Sequence, residues 1–364
     1  MKKILLVFGT RPEAIKMMPL VMELKKNTYF KTFICVTGQH KELLSEVLDL
    51  FEINPEFNLC VMKSSQTLFS ISSKILIGIE DVYNKIVPDI VLVHGDTTTA
   101  FIATLAAFYK KIDIGHVEAG LRTHDIYSPY PEEFNRQAVS IIAKYHFAPT
   151  SLNKQNLVNE GVNPKNIYIT GNTAIDVFKY TVKDPFKDPI LDWLDGYKLI
   201  ILTAHRRETS DESFRAIFNT INDIIQDNNL KLLCPVHPSP RIKKLALEAF
   251  QHNDKVFLSE PLDIVRFHNL LAKAHIIITD SGGIQEEAPS LNVPVLVIRN
   301  KTERLEALKV GTIKLIGTDP IEIKRHIEKI LSSKRRYKSM TKKKNPYGQG
   351  NAAKKIIEIL NTNL

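Results

Sequence analysis

The chain has 364 residues, 44% hydrophobic and 24% charged, and its 49 basic against 40 acidic side chains give a formal charge of +9. That length exceeds one compact core, so two domains are expected, and 15 Gly and 18 Pro dispersed without a low-complexity tract exclude a fibrous or largely disordered chain. No apolar run reaches the roughly 18 residues of a membrane span.

The start, Met1-Lys2-Lys3 and five apolar residues before Gly9, lacks the pattern of a signal peptide, so a cytoplasmic protein is expected. Short Val-, Ile- and Leu-rich runs then alternate with helical periodicity, the rhythm of parallel βα units. Strands are expected at 4–8, 32–37, 90–94, 114–118, 145–148 and 167–170, then at 199–203, 231–236, 256–258, 276–279, 295–298 and 312–316. Six strands followed by six predict two doubly wound α/β sheets of similar size, joined within 171–198, where 184–189 breaks the periodicity. A further helix, the turn-rich 345–350 and an amphipathic segment at 351–360 follow. Cys35, Cys60 and Cys234 are too few and too scattered for a disulfide framework or a zinc site, and no metal-ligand spacing occurs. No Walker loop or nucleophile elbow is present either, which argues against an ATPase and an α/β-hydrolase.

In open α/β sheets ligands bind beyond the carboxyl ends of the strands. Gly9-Thr10-Arg11-Pro12-Glu13 ends the first strand, and Arg11 with Lys16 suits an anion at a helix start, although a plain turn with solvated charges fits these residues equally well. Asp280-Ser281-Gly282-Gly283 follows an aliphatic strand and presents a hydroxyl and amides as a diphosphate cradle, with Glu287 one turn on, placed to accept from ribose hydroxyls. Three acids stand at strand ends or loops of the first half: Asp96, Glu118 and Glu132. Each has an ordinary reading, with Asp96 as a helix cap, Glu118 as a partner of Arg122, and Glu132 with Glu133 as first-turn acids. Together in one crevice they suit proton transfer. Thr203-Ala204-His205-Arg206-Arg207-Glu208 would meet a phosphate leaving group, or form a salt-bridged turn through Glu208. His237, Arg299 and Arg304 also follow strands.

These motifs, with His94-Gly95-Asp96-Thr97, 116–123, 128–133 and Asn345-Pro346-Tyr347-Gly348, resemble the non-hydrolysing UDP-N-acetylglucosamine 2-epimerases from Lys3 to the end of the chain. The resemblance implies a glycosyltransferase-B-like fold: two Rossmann-like domains facing a central cleft, residues 1–172 with the helix 350–364, and residues 173–349. It implies interconversion of UDP-GlcNAc and UDP-ManNAc through loss of UDP to 2-acetamidoglucal and its re-addition, with no cofactor, supplying ManNAc units for cell-surface polysaccharide. Asp96, Glu118, Glu132 and His205 would be catalytic. Arg11, Lys16, Arg206, Ser281, Gly282, Gly283, Glu287 and Arg304 would bind substrate, with Leu262 and Phe267 beside the uracil. A homodimer is implied, with neither nucleic acid nor membrane as partner.

Family members activated by UDP-GlcNAc at a second site use Gln39 and His237, both present here, but Glu42 and Ser65 stand where Gln and Arg are expected. An acid and a lost cation disfavour a second diphosphate, so weak or altered allosteric control is expected. Leu305 replaces a usual Pro. The rival readings are a UDP-sugar-dependent glycosyltransferase of the same fold, a hydrolysing epimerase, and a non-catalytic UDP-sugar sensor. As for the charge, residues 334–344 hold seven basic side chains and no acid, leaving +2 for the rest; a solvated helix face is expected there.

Overall fold

The computed structural model describes residues 1–39, 41–62, 66–206 and 209–364, without the side chains of 41–43. The strands of the first sheet are β1 (Lys2–Phe8), β2 (Phe30–Val36), β3 (Phe57–Asn58), β4 (Ile90–His94), β5 (Asp113–Val117), β6 (Tyr145–Ala148) and β7 (Ile167–Ile169), in the order β3-β2-β1-β4-β5-β6-β7. Those of the second are β8 (Lys198–Thr203), β9 (Leu230–Pro235), β10 (Val256–Ser259), β11 (Ile276–Thr279), β12 (Val295–Val297) and β13 (Ile313–Leu315), in the order β10-β9-β8-β11-β12-β13. The described pairings are parallel. The first sheet thus has a seventh strand beyond the six expected. β3 is two residues long, too short to show any alternation in the sequence.

Parallel strands are buried on both faces and therefore read as continuous aliphatic runs. Ile4 to Phe8 and Ile90 to Val93 are fully inaccessible. Leu5, Val7, Val91 and Val93 pack against Ile79, Val82 and Tyr83 of the helix Leu68–Ile86 and Ala103 of the helix Thr98–Tyr109. In the second sheet Ile200, Leu202, Leu232 and Ile278 pack against Phe214, Ile217 and Phe218 of the helix Asp211–Asp227. Strand order reverses between β1 and β4 and between β8 and β11, so the loops leaving those pairs diverge and open a crevice at each switch point.

The chain divides into Met1–Val177 with Gly348–Leu364, and Phe178–Tyr347. In the first unit the helix Ala352–Asn363 buries Ile356, Ile357 and Leu360 and packs along the helix Arg11–Lys25. Asn351 gives that helix no side-chain cap; the buried Asp176 carboxylate accepts from Ala352 N–H and Ala353 N–H instead, each at 3.1 Å. In the second unit the helix Lys334–Thr341 buries none of its residues; Tyr337 and Met340 lie partly against the core while the seven cations of 334–344 are exposed. Among the described residues no helix is long and apolar enough to cross a membrane.

Three histidines are built into the strands of the first unit. His94 ends β4, and His116 and His146 are register partners in β5 and β6. Burial pushes them down to about 4, 3 and 4, respectively.

Two outcomes follow from this packing. Asp176→Ala, which leaves two helix-start amides without an acceptor, is expected to cost about 1–3 kcal/mol in urea unfolding. The histidines stay neutral when folded but charge below their ordinary 6.5 when unfolded. The unfolded state therefore binds more protons between pH 6.5 and about 4, and stability falls as pH drops through that window, by up to about 1.4 kcal/mol per pH unit per group. The urea midpoint should decline across that range and His146→Asn should reduce the slope; a midpoint independent of pH there would contradict the assignment.

Candidate active site

In the first unit the site grows from the ends of β1, β4 and β5. A Cβ on Gly9 would lie 2.0 Å from Thr37 Oγ1 and 2.5 Å from Thr99 Oγ1, so only glycine fits where the chain leaves β1. Thr10 caps the helix Arg11–Lys25, and the buried Glu13 completes a capping box, accepting from Gly9 N–H at 3.0 Å and Thr10 N–H at 2.8 Å. Its other oxygen accepts the Thr97 hydroxyl at 2.6 Å, which ties the β1 turn to the β4 turn. Burial raises the Glu13 carboxyl despite these bonds.

Glu118 leaves β5 in the left-handed region, at φ 63°, a conformation uncommon for a side chain of this kind. Its carboxylate accepts from Lys16 Nζ at 2.6 Å and Asn172 Nδ2 at 2.8 Å, with His94 Nε2 at 3.7 Å. Burial works to raise this carboxyl, but Lys16, His94 and Asn172 outweigh it and hold it below its ordinary value. Asp96 behaves in the opposite way. Its carboxylate meets the Arg136 guanidinium, yet burial, assisted by the charge of Glu118, raises it. Two carboxylates within electrostatic reach of each other are thus driven to opposite proton affinities.

The ordinary readings of Asp96 and Glu118 do not hold, whereas Glu132 and Glu133 do stand in the first turn of their helix. Thr97, not Asp96, caps the helix Thr98–Tyr109, accepting from Ala100 N–H at 3.0 Å. Arg122 is paired with Glu160 rather than Glu118, with two contacts at 2.7 Å. Glu132 opens the helix Glu132–Ile142 and is half-buried, whereas Glu133 is buried and bonded to the chain around it. Arg11 is half-buried and its Nε has no hydrogen-bond partner among the described residues, and Gln39 accepts the Thr99 hydroxyl at 3.2 Å.

In the second unit Asp280 organises the switch point. One oxygen accepts from His205 N–H at 2.6 Å and Arg206 N–H at 2.9 Å; the other lies 2.9 Å from His205 Nδ1. Burial works to raise Asp280, and these donors lower it on balance. With Nδ1 against a carboxylate, His205 presents Nε2 as the nitrogen for a ligand. Its ring stacks on the exposed His237 at 5.5 Å and 12°. Arg206 Nε also donates to the Asp280 carbonyl at 3.2 Å.

Ser281 stands at the cap position of the helix Gly282–Glu287 but makes no side-chain cap bond among the described residues. A Cβ on Gly282 would lie 3.0 Å from the Arg304 guanidinium, so glycine lets that arginine lie against the turn. Arg304 is fixed there by Glu286, 2.7 Å from its Nε. Gly283 and Glu287 are half-buried, with Glu287 Oε2 3.9 Å from His268 Nε2; Leu262 and Phe267 follow β10, also half-buried. Arg299 pairs with Glu303 at 3.0 Å, a surface ion pair. Among the described residues no three His, Cys, Asp or Glu gather as a metal site. Arg207, Glu208, Ser65 and the Glu42 side chain lie outside the described residues.

Sequence reasoning passed over Arg136, Asn172, Asp280 and Glu13 as partners of the site. Asn172 lies just beyond β7, where the strand-end rule applies to it as to the others. Asp280 and Glu13 sit inside quoted motifs, but their bonds become visible only with the turns in place. Arg136 lies within a helix, 40 residues from Asp96, and no spacing signals that contact.

The family model described as UDP-N-acetylglucosamine 2-epimerase matches residues 22–361. The chain is 49% identical over 359 residues to the UDP-N-acetylglucosamine 2-epimerase of Bacillus subtilis, covering 98% of this chain and 94% of that one. It is 44% identical to the Escherichia coli K12 enzyme of the same name, covering 99% of both. The crystal structure of UDP-GlcNAc 2-epimerase from Neisseria meningitidis bound to UDP-GlcNAc matches with a TM-score of 0.88 at 43% identity, over 99% of this chain and 100% of that one. Identity of this order across nearly the whole of both chains establishes that this chain belongs to the UDP-N-acetylglucosamine 2-epimerase family of isomerases.

Proposed function

We propose that the protein interconverts UDP-GlcNAc and UDP-ManNAc in the cytoplasm, providing ManNAc units for surface polysaccharide. The C1–O bond breaks and its electron pair leaves with UDP; the C2 proton passes to the enzyme, giving 2-acetamidoglucal. UDP then adds back to C1 while a proton reaches the other face of C2. A C2 hydrogen with no adjacent carbonyl becomes acidic only as positive charge builds on the ring, so the reaction needs a proton carrier, a fixed anion near the ring and donors at the leaving diphosphate.

The observation that carries this reading is the opposed pair at β4 and β5. Asp96, raised by burial, is suited to exchange the C2 proton, and Glu118, held ionised by Lys16, is suited to stabilise the cationic ring. Glu132 serves the second face. Arg11 is the anion-binding cation of the first unit; in the second unit His205, Arg206 and the Ser281-Gly282-Gly283 turn take the diphosphate, Glu287 the ribose, and Leu262 and Phe267 the uracil. A homodimer is supported by Phe69, Ile77, Phe108 and Ile141, large apolar side chains exposed on adjoining helices of the first unit.

Proton NMR of UDP-GlcNAc with the enzyme in deuterated water tests the reaction: deuterium should appear at C2 of both nucleotide sugars. Asp96→Asn should lower that exchange by about 10²-fold or more with UDP binding retained. Full exchange in Asp96→Asn would sink the assignment of the proton carrier; free sugar would mean a hydrolysing enzyme, and an untouched C2 a transferase or a sensor. With Glu42 and Ser65 at the second site, the substrate curve should be hyperbolic. A sigmoidal curve, with UDP-ManNAc turnover requiring added UDP-GlcNAc, would contradict that expectation.

A further inference from the structure

Resting on the reading of Asp96 as the proton carrier, we propose that Arg136 is its positioning residue, and that the buried Glu133 couples this arginine to the segment 121–131, so that one ion cluster sets both. The Arg136 side chain is only 7% exposed, near the middle of the helix Glu132–Ile142. One arm of its guanidinium meets Asp96 Oδ2 and the other donates to Glu133 Oε2 at 3.1 Å. A planar fork held by two carboxylates has its orientation fixed, so it fixes the Asp96 rotamer in turn. Asn135 holds the backbone at the same point, its Nδ2 donating to the Asp96 carbonyl at 2.9 Å.

Glu133 ties the segment at both ends. Its carboxylate accepts from Thr123 N–H at 3.0 Å and His124 N–H at 3.2 Å, while its own N–H donates to the Pro129 carbonyl at 3.1 Å. Residues 123–130 between those anchors are exposed, so little packing holds them. Gln137 Nε2 adds a further bond to the carboxylate at 2.8 Å. The three anchors, the arginine and Asp96 therefore form one connected unit, and a displacement at Asp96 reaches the exposed segment through two side chains.

The charged groups facing Asp96 are Arg136 from its helix, Glu118 from the end of β5 and Lys16 from the helix Arg11–Lys25. Removing Arg136 leaves burial and Glu118 opposed by Lys16 alone, so Asp96 binds its proton more tightly. The limb of the turnover pH profile that reports Asp96 then moves to higher pH, whether Asp96 is needed charged or protonated.

The test compares Arg136→Gln, Arg136→Lys and Asp96→Asn in the full-length enzyme, with circular dichroism and UDP binding as folding controls. Arg136→Gln should lower kcat at least about tenfold, change KM for UDP-GlcNAc by less than about threefold, and shift the limb upward. Arg136→Lys, which keeps the charge but cannot fork two carboxylates, should restore the limb position and only part of kcat. A wild-type limb and kcat in Arg136→Gln, with Asp96→Asn inactive, would show a framework ion pair and overturn this proposal alone. Full C2 exchange by Asp96→Asn would remove the parent reading and this one with it. Should Arg136→Gln fail to fold, Arg136→Lys decides: wild-type kcat there overturns the proposal, and a reduced kcat with an unmoved limb supports it.

Discussion

A parallel sheet covered by helices on both faces admits polar chemistry only beyond the ends of its strands, and both halves of this protein are built under that constraint. The interiors of β1, β4, β8 and β11 are aliphatic and inaccessible, while polar residues such as Thr10, Asp96, Glu118, His205 and Asp280 follow β1, β4, β5, β8 and β11. Each switch point separates two loops, and the side chains with chemical potential stand on them. His94, His116 and His146 depart from the aliphatic rule within strands and remain neutral because burial disfavours their charged form.

Within the first unit, a small set of buried charges controls the rest. Burial acts on Glu118 and Asp96 in the same direction, and what separates them is the balance of partners. Glu118 has a lysine and an amide directly on it, and an imidazole nearby. Asp96 has one guanidinium, which it shares with Glu133. Glu118 has more donors opposing its desolvation, and its charge adds to the burial that raises Asp96, so one acid stays ionised and the other keeps an affinity for protons. At Asp280, likewise, one carboxylate oxygen holds two backbone amides while the other lies 2.9 Å from His205 Nδ1.

Much of this was legible in the order of residues. The βα rhythm located twelve of the thirteen strands of the described structure, and the strand-end rule singled out Asp96, Glu118, His205 and the Ser281-Gly282-Gly283 turn. It did not reveal β3, whose two residues carry no periodicity, nor the cap of the last helix, which comes from Asp176 rather than from Asn351 beside it. Lys16 read as a cation for an external anion, and in the folded unit it lies on Glu118.

What the sequence determined by itself is the layout: aliphatic runs of strand length alternating with helical periodicity fit a parallel sheet covered by helices, and the polar residues after the runs then lie at its edge. What the tertiary structure decided is the pairing of charges, with Lys16 on Glu118, Arg136 between Asp96 and Glu133, and Asp280 on His205. Burial and periodicity are local properties that a chain displays along its length. A Coulomb interaction depends on distance in space between groups 40, 75 or 102 residues apart, and only folding sets that distance.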